Sequence, residues 1–244
     1  KLTTTNGTIV SRYSLNNDEC FLQLELATGK KQILRIPKNY HTDPIFEDQE
    51  HRLWLTSSYG SISCMFPPYD SLMTYSYRQI LQNNEGEIYI KQLYQSQNGV
   101  FWLATQHGLL QMEAFVNSPP QFKLHKSDPK KTNSLSGNAI FAVLDDPAEP
   151  DRYLWVATNG NGLNKMDKQT GFCLHYTKKN GLPDNVVYGI FADTLGRLWL
   201  STNFGLSCFN PQTEYFLNFT ANDGLQDNEF NNQSFYQDTN GIMY

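Results

Sequence analysis

What is scarce in these 244 residues narrows the field first. No apolar run approaches the roughly 18 residues a membrane-crossing helix needs, and the mean hydropathy is −0.52, so no membrane span falls within the chain. Basic residues are outnumbered: 19 Lys and Arg against 24 Asp and Glu leave a net charge of −5. A protein that holds nucleic acid needs a basic surface, so direct nucleic-acid contact is not expected. Charged residues make up only 18% while aromatics reach 14%, the reverse of a disordered chain. The four cysteines, Cys20, Cys64, Cys173 and Cys208, are scattered and form no C-x-x-C pair, so no metal site is expected. Cys64 and Cys208 sit in the apolar stretches SISCMF and GLSCFN and read as buried free thiols. No G-x-S-x-G, H-E-x-x-H or P-loop occurs, so no catalytic residue and no cofactor is called for. The chain opens KLTTTNG, which is no signal peptide and reads as a fragment boundary.

What the sequence does contain is a repeat. All four tryptophans fall in one phrase: RLWLTSSYGSI at 52–62, VFWLATQHGLL at 100–110, YLWVATNGNGL at 153–163 and RLWLSTNFGLS at 197–207. A glycine follows the Trp by six residues in three copies (Gly60, Gly108, Gly205), and by five and seven in the other (Gly160, Gly162). A strand-like stretch ending in a turn precedes each Trp, as in AIFAVLDDP and VYGIFADTLG. An element with aromatics follows: FKLHK at 122–126, FCLHY at 172–176 and YFLNF at 215–219, which align His125 with His175. NQSFYQDTNGIMY closes the chain as a fifth copy without Trp.

Runs of four to eight residues with period-two alternation, separated by Gly, Asn, Asp and Pro, are strands. Four short strands in a unit of roughly 40–50 residues make a β-propeller blade. The expected fold is all-β: four-stranded antiparallel blades, about four complete, with split blades at the ends, as part of a larger seven-bladed ring. The expected boundaries are 1–40 (second to fourth strands of a blade), 41–80, 88–127, 138–178 and 186–220 (blades), and 230–244 (start of the next). Asp48, Asp145, Asp193 and Asp238 are expected to open the first tight turn of each blade, with Gly99, Gly196 and Gly241 supplying positive φ. Asp146 then begins an insertion, DDPAEPDRY, and the pair Asp145–Asp146 reads as solvated turn carboxylates rather than an acid–base couple.

The unit D-x-x-G-x-L-W-L-x-T-x-x-G-L followed by F-x-x-Y resembles the two-component regulator propeller repeat. ADTLGRLWLSTNFGLSCFNPQTEYFLNF at 192–219 is a close match; the copies at 45–66 and 90–126 are weaker, since 49–52 lacks the turn glycine and Ser96 replaces the Asp. The resemblance implies the periplasmic sensor region of a hybrid histidine kinase/response regulator, part of an inner-membrane protein. It implies oligosaccharide ligands, a neighbouring propeller and β-sandwich module in the parent chain, and a homodimer among the partners. It implies no enzymatic activity in this chain, because no kinase motif is present.

Strand direction places the turn between second and third strands on the same rim as the connection between blades. That rim carries Tyr59, Gln106, His107, Asn159, Asn161, Asn203 and Phe204, the candidate ligand-binding residues. Amides and aromatics in one place suit hydroxyls and the apolar face of a sugar ring. The plain alternative is that Asn, Asp and Gly are there because turns need them. Two rival functions remain beside the sensor: a propeller lyase or glycosidase, and a protein-interaction platform, although the G-H…W-D signature of the latter is missing.

Overall fold

The computed structural model describes residues 2–3, 9–14, 20–25, 29–36, 46–57, 60–67, 71–81, 88–113 and 119–231. Among these residues five four-stranded antiparallel sheets are formed, each a meander in chain order. Sheet 1 holds β1 (Leu2–Thr3), β2 (Ile9–Ser14), β3 (Cys20–Glu25) and β4 (Lys31–Ile36); sheet 2 holds β5 (Phe46–Glu47), β6 (Leu53–Ser57), β7 (Ser61–Met65) and β8 (Met73–Ser76). Sheet 3 holds β9 (Ile90–Gln95), β10 (Phe101–Thr105), β11 (Gly108–Glu113) and β12 (Gln121–His125); sheet 4 holds β13 (Ile140–Asp145), β14 (Tyr153–Thr158), β15 (Leu163–Asp167) and β16 (Cys173–Tyr176). Sheet 5 holds β17 (Val187–Ala192), β18 (Leu198–Thr202), β19 (Gly205–Asn210) and β20 (Tyr215–Phe219). Sheet 1 differs from expectation: Leu2 pairs with Val10 and Thr3 with Ile9, so a short first strand completes the four. The closing segment from 232 onward, with Asp238 and Gly241, lies outside the described residues.

The chain divides into two compact units, Lys1–Ile90 and Lys91–Tyr244. In the first, β6 is buried along its whole length, and Leu53, Leu55 and Ile62 are all but inaccessible. Its weak turn is resolved in an unexpected way. His51 takes φ +61° where Gly99 and Gly196 have +84° and +74° at the same place, three residues after Asp48, Ser96 and Asp193.

In the second unit, sheets 3, 4 and 5 stack through their second strands. Trp102 of β10 packs with Val143, Leu154, Val156 and Met166 of sheet 4. Trp155 of β14 packs with Leu198, Leu200 and Phe209 of sheet 5, meeting the Phe209 ring edge-on at 5.6 Å. Covered on both faces, β10 and β14 are buried almost throughout, which is why these strands read as near-continuous apolar runs. Removing either indole would cost about 3–5 kcal/mol.

Two expectations are corrected in this unit. The register pairs Leu109 with His125, Leu163 with Tyr176 and Leu206 with Phe219. His125 therefore matches Tyr176 and Phe219, not His175. Each of the three rings lies 5.7–5.8 Å from the Trp of its own sheet. The buried ring, not the repeated letters L-H, sets the alignment. Second, Asp145 and Asp146 are both buried rather than solvated, and Asp146 is the turn residue.

That turn is the local device that fixes each Trp. Asp193 Oδ1 accepts the backbone N–H groups of Leu195 and Arg197, and Oδ2 accepts Trp199 Nε1 at 3.1 Å and Arg197 Nε at 2.7 Å. Asp48 does the same for Glu50, Arg52 and Trp54. Asp146 accepts from Ala148 N, Glu149 N and Trp155 Nε1. In sheet 3, Ser96 Oγ accepts Trp102 Nε1 at 3.0 Å and itself donates to Asp145 Oδ1 at 2.7 Å. The missing carboxylate is thus lent by the neighbouring sheet, and Lys168 Nζ closes the cluster at 2.6 Å from Asp145 and 3.0 Å from Ser96.

Cys64 and Cys208 are buried free thiols, as expected, and Cys173 is one as well. Burial pushes the Cys64 and Cys173 thiols up to about 12, which leaves them unreactive.

Candidate ligand-binding rim

The turn between second and third strands is built the same way three times in the second unit. Thr105, Thr158 and Thr202 each donate their hydroxyl to a glycine carbonyl, of Gly108, Gly162 and Gly205, at 2.7 Å. The same hydroxyls accept the backbone N–H of His107, Asn161 and Phe204. The glycines are required. Gly205 has φ +86°, and a Cβ there would stand 2.1 Å from the Phe219 carbonyl oxygen. At Gly162 the same atom would meet the Tyr176 carbonyl oxygen at 2.2 Å.

These turns are bonded to the connections between sheets, which places both on one rim. Asn159 N donates to Ala139 O and Asn203 N to Val186 O, just ahead of β13 and β17. Gly162 N reaches forward to Asn185 O, and Gly205 N to Asn228 O. Several connection amides are consumed by this scaffold. Asn138, Asn185 and Asn228 each accept, through Oδ1, the backbone N–H of Ser127, Lys178 and Ala221. For those residues the turn-building alternative holds.

The sequence-derived candidates fall as follows. Asn159, Asn161, Asn203 and Phe204 are exposed at the turns of sheets 4 and 5, and the Phe204 ring is half in solvent. Gln106 and His107 are half-buried at the turn of sheet 3. Burial, helped by Lys126, holds the His107 imidazole below its ordinary range. Tyr59 lies outside the described residues.

The first strands add two residues that the sequence reading did not select. The pairing of β13 with β14 steps from Ile140–Thr158 to Ala142–Ala157, and that of β17 with β18 from Val187–Thr202 to Gly189–Ser201. The residue skipped by each bulge is aromatic: Phe141 in one, Tyr188 in the other. Bulges turn a side chain out of its ladder, and they recur next to functional sites. Here the two rings stack, with centroids 5.3 Å apart and planes 29° from parallel. The Tyr188 hydroxyl donates to Asn203 Oδ1 at 3.1 Å, tying the aromatic pair to the turn. Once Asp146 rather than Asp145 is aligned with Asp193, Phe141 and Tyr188 each stand five residues before the turn carboxylate. That equivalence was the signal available in the sequence.

The rim therefore offers a two-ring aromatic platform beside exposed amides. Such a surface holds a polyol by hydrogen bonds and the flat face of a ring by apolar contact. Among the described residues no group of three His, Cys, Asp or Glu side chains is placed to hold a metal ion.

Comparison with known proteins agrees with this architecture. Residues 181–204, from the connection into β17 through the turn after β18, match the family described as two component regulator propeller. The repeat recognised in the sequence is thus borne out. No curated protein matches the sequence. Among solved structures, the extracellular domain assigned to the hybrid two component system BT3049 from B. thetaiotaomicron is 18% identical, with a TM-score of 0.66 over 98% of this chain and 32% of that one. PorZ, a surface component of the type-IX secretion system of Porphyromonas gingivalis, is 17% identical, with a TM-score of 0.66 over 93% of this chain and 36% of that one. Virginiamycin B lyase from Staphylococcus aureus is 13% identical, with a TM-score of 0.58 over 89% and 68%. These similarities establish the all-β propeller fold. The chain spans about a third of the length of the first of these structures.

Proposed function

We propose that this chain is a ligand-sensing segment of an extracytoplasmic, two-component-type sensor, and that its ligands are oligosaccharides. The observation that carries the reading is the conjunction of a two component regulator propeller repeat with a rim where paired bulges present Phe141 and Tyr188 beside Asn203. The same repeat, in the resemblance drawn from the sequence, belongs to sensors that signal to a histidine kinase outside the propeller. The extracellular assignment of the BT3049 domain supports a periplasmic place for this chain. No helix among the described residues is long and apolar enough to cross a membrane. The remaining propeller and β-sandwich modules would be supplied by a parent chain, with a second sensor chain as a further partner.

In a sensor of this kind, ligand must bind two arrangements unequally, and only that difference in affinity moves the equilibrium. A rim formed by turns from several sheets is suited to this, since one ligand can touch more than one blade.

The test is isothermal titration of the 244-residue chain, and of the longer sensor region, against defined neutral oligosaccharides. Binding that weakens at least tenfold in Tyr188→Ala and in Phe141→Ala, with unchanged thermal unfolding, supports the reading. Binding indifferent to both substitutions, or turnover of the sugar, refutes it.

A further inference from the structure

We propose that the second unit carries another ligand site, away from the rim, that takes a small anion: a carboxylate or sulfate group borne on a ring with an apolar face. The site is a cavity of about 860 Å³ on the outer side of sheet 4. That volume is within the roughly 300–1,000 Å³ usual for small-molecule sites. The end of β12 and the connection after it form one wall, and the start of β14, β15 and the hairpin before β16 form the other.

The walls are pre-formed. The connection is sewn to sheet 4 by Cys173 N donating to Asn133 O at 2.8 Å and His175 Nε2 donating to Ser134 O at 2.7 Å. Ser136 N donates to Asn164 Oδ1, and Asn164 Nδ2 returns to Ser136 Oγ, both at 2.9 Å. A pocket held this way loses little ordering entropy on binding.

Charge decides the ligand class. The carboxylate of Asp167 is already saturated: Oδ1 accepts Gln169 N, Thr170 N and Thr170 Oγ1, and Oδ2 accepts Arg152 Nε at 3.4 Å. Asp128 accepts Lys130 N. Two of the cations, Arg152 and Lys131, keep donors to spare. Arg152 meets Glu149 only at 3.6 Å through Nη1, and its Nη2 has no partner among the described residues. Lys131 Nζ stands 3.9 Å from Asp128 and has no other ion pair among the described residues. Lys165 Nζ, 2.8 Å from Asp146, lies 4.5 Å from the centre of the Tyr153 ring, with Arg152 4.7 Å from the same ring. Glu149, the third lining carboxylate, reaches only Arg152, and the guanidinium keeps N–H donors with which it can hold an incoming anion by two hydrogen bonds. Beside them, Phe172 and Leu174 line the cavity with nearly half of their surfaces exposed. That apolar surface is unused by the protein and fits the face of a ring.

Two sources of this chemistry, sugar acids and aromatic acids, are separated by the probes. The 244-residue chain is titrated with tri-galacturonate against its methyl ester, and with benzoate against benzamide. The expected result is that the charged member of at least one pair binds at least tenfold more tightly than its neutral partner. That preference disappears in Arg152→Gln and falls in Lys131→Gln, while Phe172→Ala weakens binding and Phe141→Ala at the rim leaves it unchanged. Binding confined to tri-galacturonate, or to benzoate, supports the site and names its source. Equal binding of acid and neutral form, binding that survives Arg152→Gln, or no binding of either acid overturns the proposal. Because the rim variant is read in the same titration, failure of this site and failure of the rim remain distinct results.

Discussion

His125 should make this protein lose stability in mild acid, and by an amount that can be worked out. Its ring is buried against Trp102, 5.7 Å between centroids, and Nε2–H donates to Gln111 Oε1 at 3.0 Å. Burial, with a smaller push from Lys123, lowers its pKa from 6.5 to about 4. The fold therefore holds the neutral ring, and the unfolded chain takes up the proton first. Stability is complete above the unfolded value of 6.5 and drains away as pH falls towards 4. At about 1.4 kcal/mol per unit the full effect is at most about 3.5 kcal/mol, and about 2 kcal/mol of it is reached at pH 5. Carboxylates such as Asp146 and Asp193, held below their usual range by the hydrogen bonds they accept, lose stability in the same direction but at lower pH. A comparison with His125→Tyr isolates the histidine, since Tyr176 already fills the equivalent place. The assay is urea unfolding followed by tryptophan fluorescence at pH 7.5, 6 and 5. The variant should be flatter than the parent by about 2 kcal/mol across that range. Parallel curves would refute the assignment of His125 as a buried neutral ring.

The cluster between sheets 3 and 4 gives a second prediction. Lys168→Met strands the Asp145 carboxylate and should cost about 3–5 kcal/mol, while the double variant Asp145→Asn/Lys168→Met should cost less than that single change in the same urea assay. A third compares two glycines of nearly equal φ. Gly205→Ala should lose roughly 2–4 kcal/mol in thermal unfolding, because its Cβ meets Phe219 O, whereas Gly99→Ala, with open space around it, should lose only about 1 kcal/mol for the backbone conformation alone. A fourth concerns the turn carboxylate: Asp193→Ala leaves the Trp199 indole N–H and two backbone N–H groups without their acceptor and should lower the unfolding free energy by about 1–3 kcal/mol, whereas Asp151→Ala, at an exposed turn, should stay within about 0.5 kcal/mol.

The repeat made the sheets legible because its markers are the residues that packing cannot replace. In the second unit Trp102 and Trp155 on the second strands bridge to the next sheet, and Gly162 and Gly205 stand where another strand's carbonyl leaves no room for a Cβ. Both are visible as letters at fixed spacing. The errors fell where two letters competed for one structural place. In LDD, either Asp could open the turn, and the nine-residue excursion hid which one the Trp indole reaches. In FKLHK and FCLHY the shared L-H drew the alignment one residue away from the ring that covers the Trp. The aromatic platform was hidden for a further reason. A bulge changes which face a side chain occupies without changing the composition of its strand, so Phe141 and Tyr188 look like ordinary alternating strand residues.

Ser96 shows how far a blade can depart from its own pattern. A serine oxygen alone could accept the Trp102 indole, but it brings no charge and leaves the neighbouring backbone N–H groups less well served. The structure answers by burying Asp145 of sheet 4 against Ser96 Oγ and Gln97 N, and Lys168 against Ser96 and Asp145. In sheets 2 and 5 the turn, its Trp and its arginine are a closed unit within one sheet. In sheet 3 the same unit exists only when sheet 4 is docked beside it. Sheets 3 and 4 are thereby obliged to form together, whereas a seam held by apolar contacts alone would leave each free to keep its own turn. The outer cavity opens beside this same sheet, against a wall whose carbonyl partner for Lys168, Pro150, belongs to the excursion that also supplies Arg152. The irregular blade is thus where the two departures from the repeat, the lent carboxylate and the long turn, come together to make a surface that a regular blade would not have.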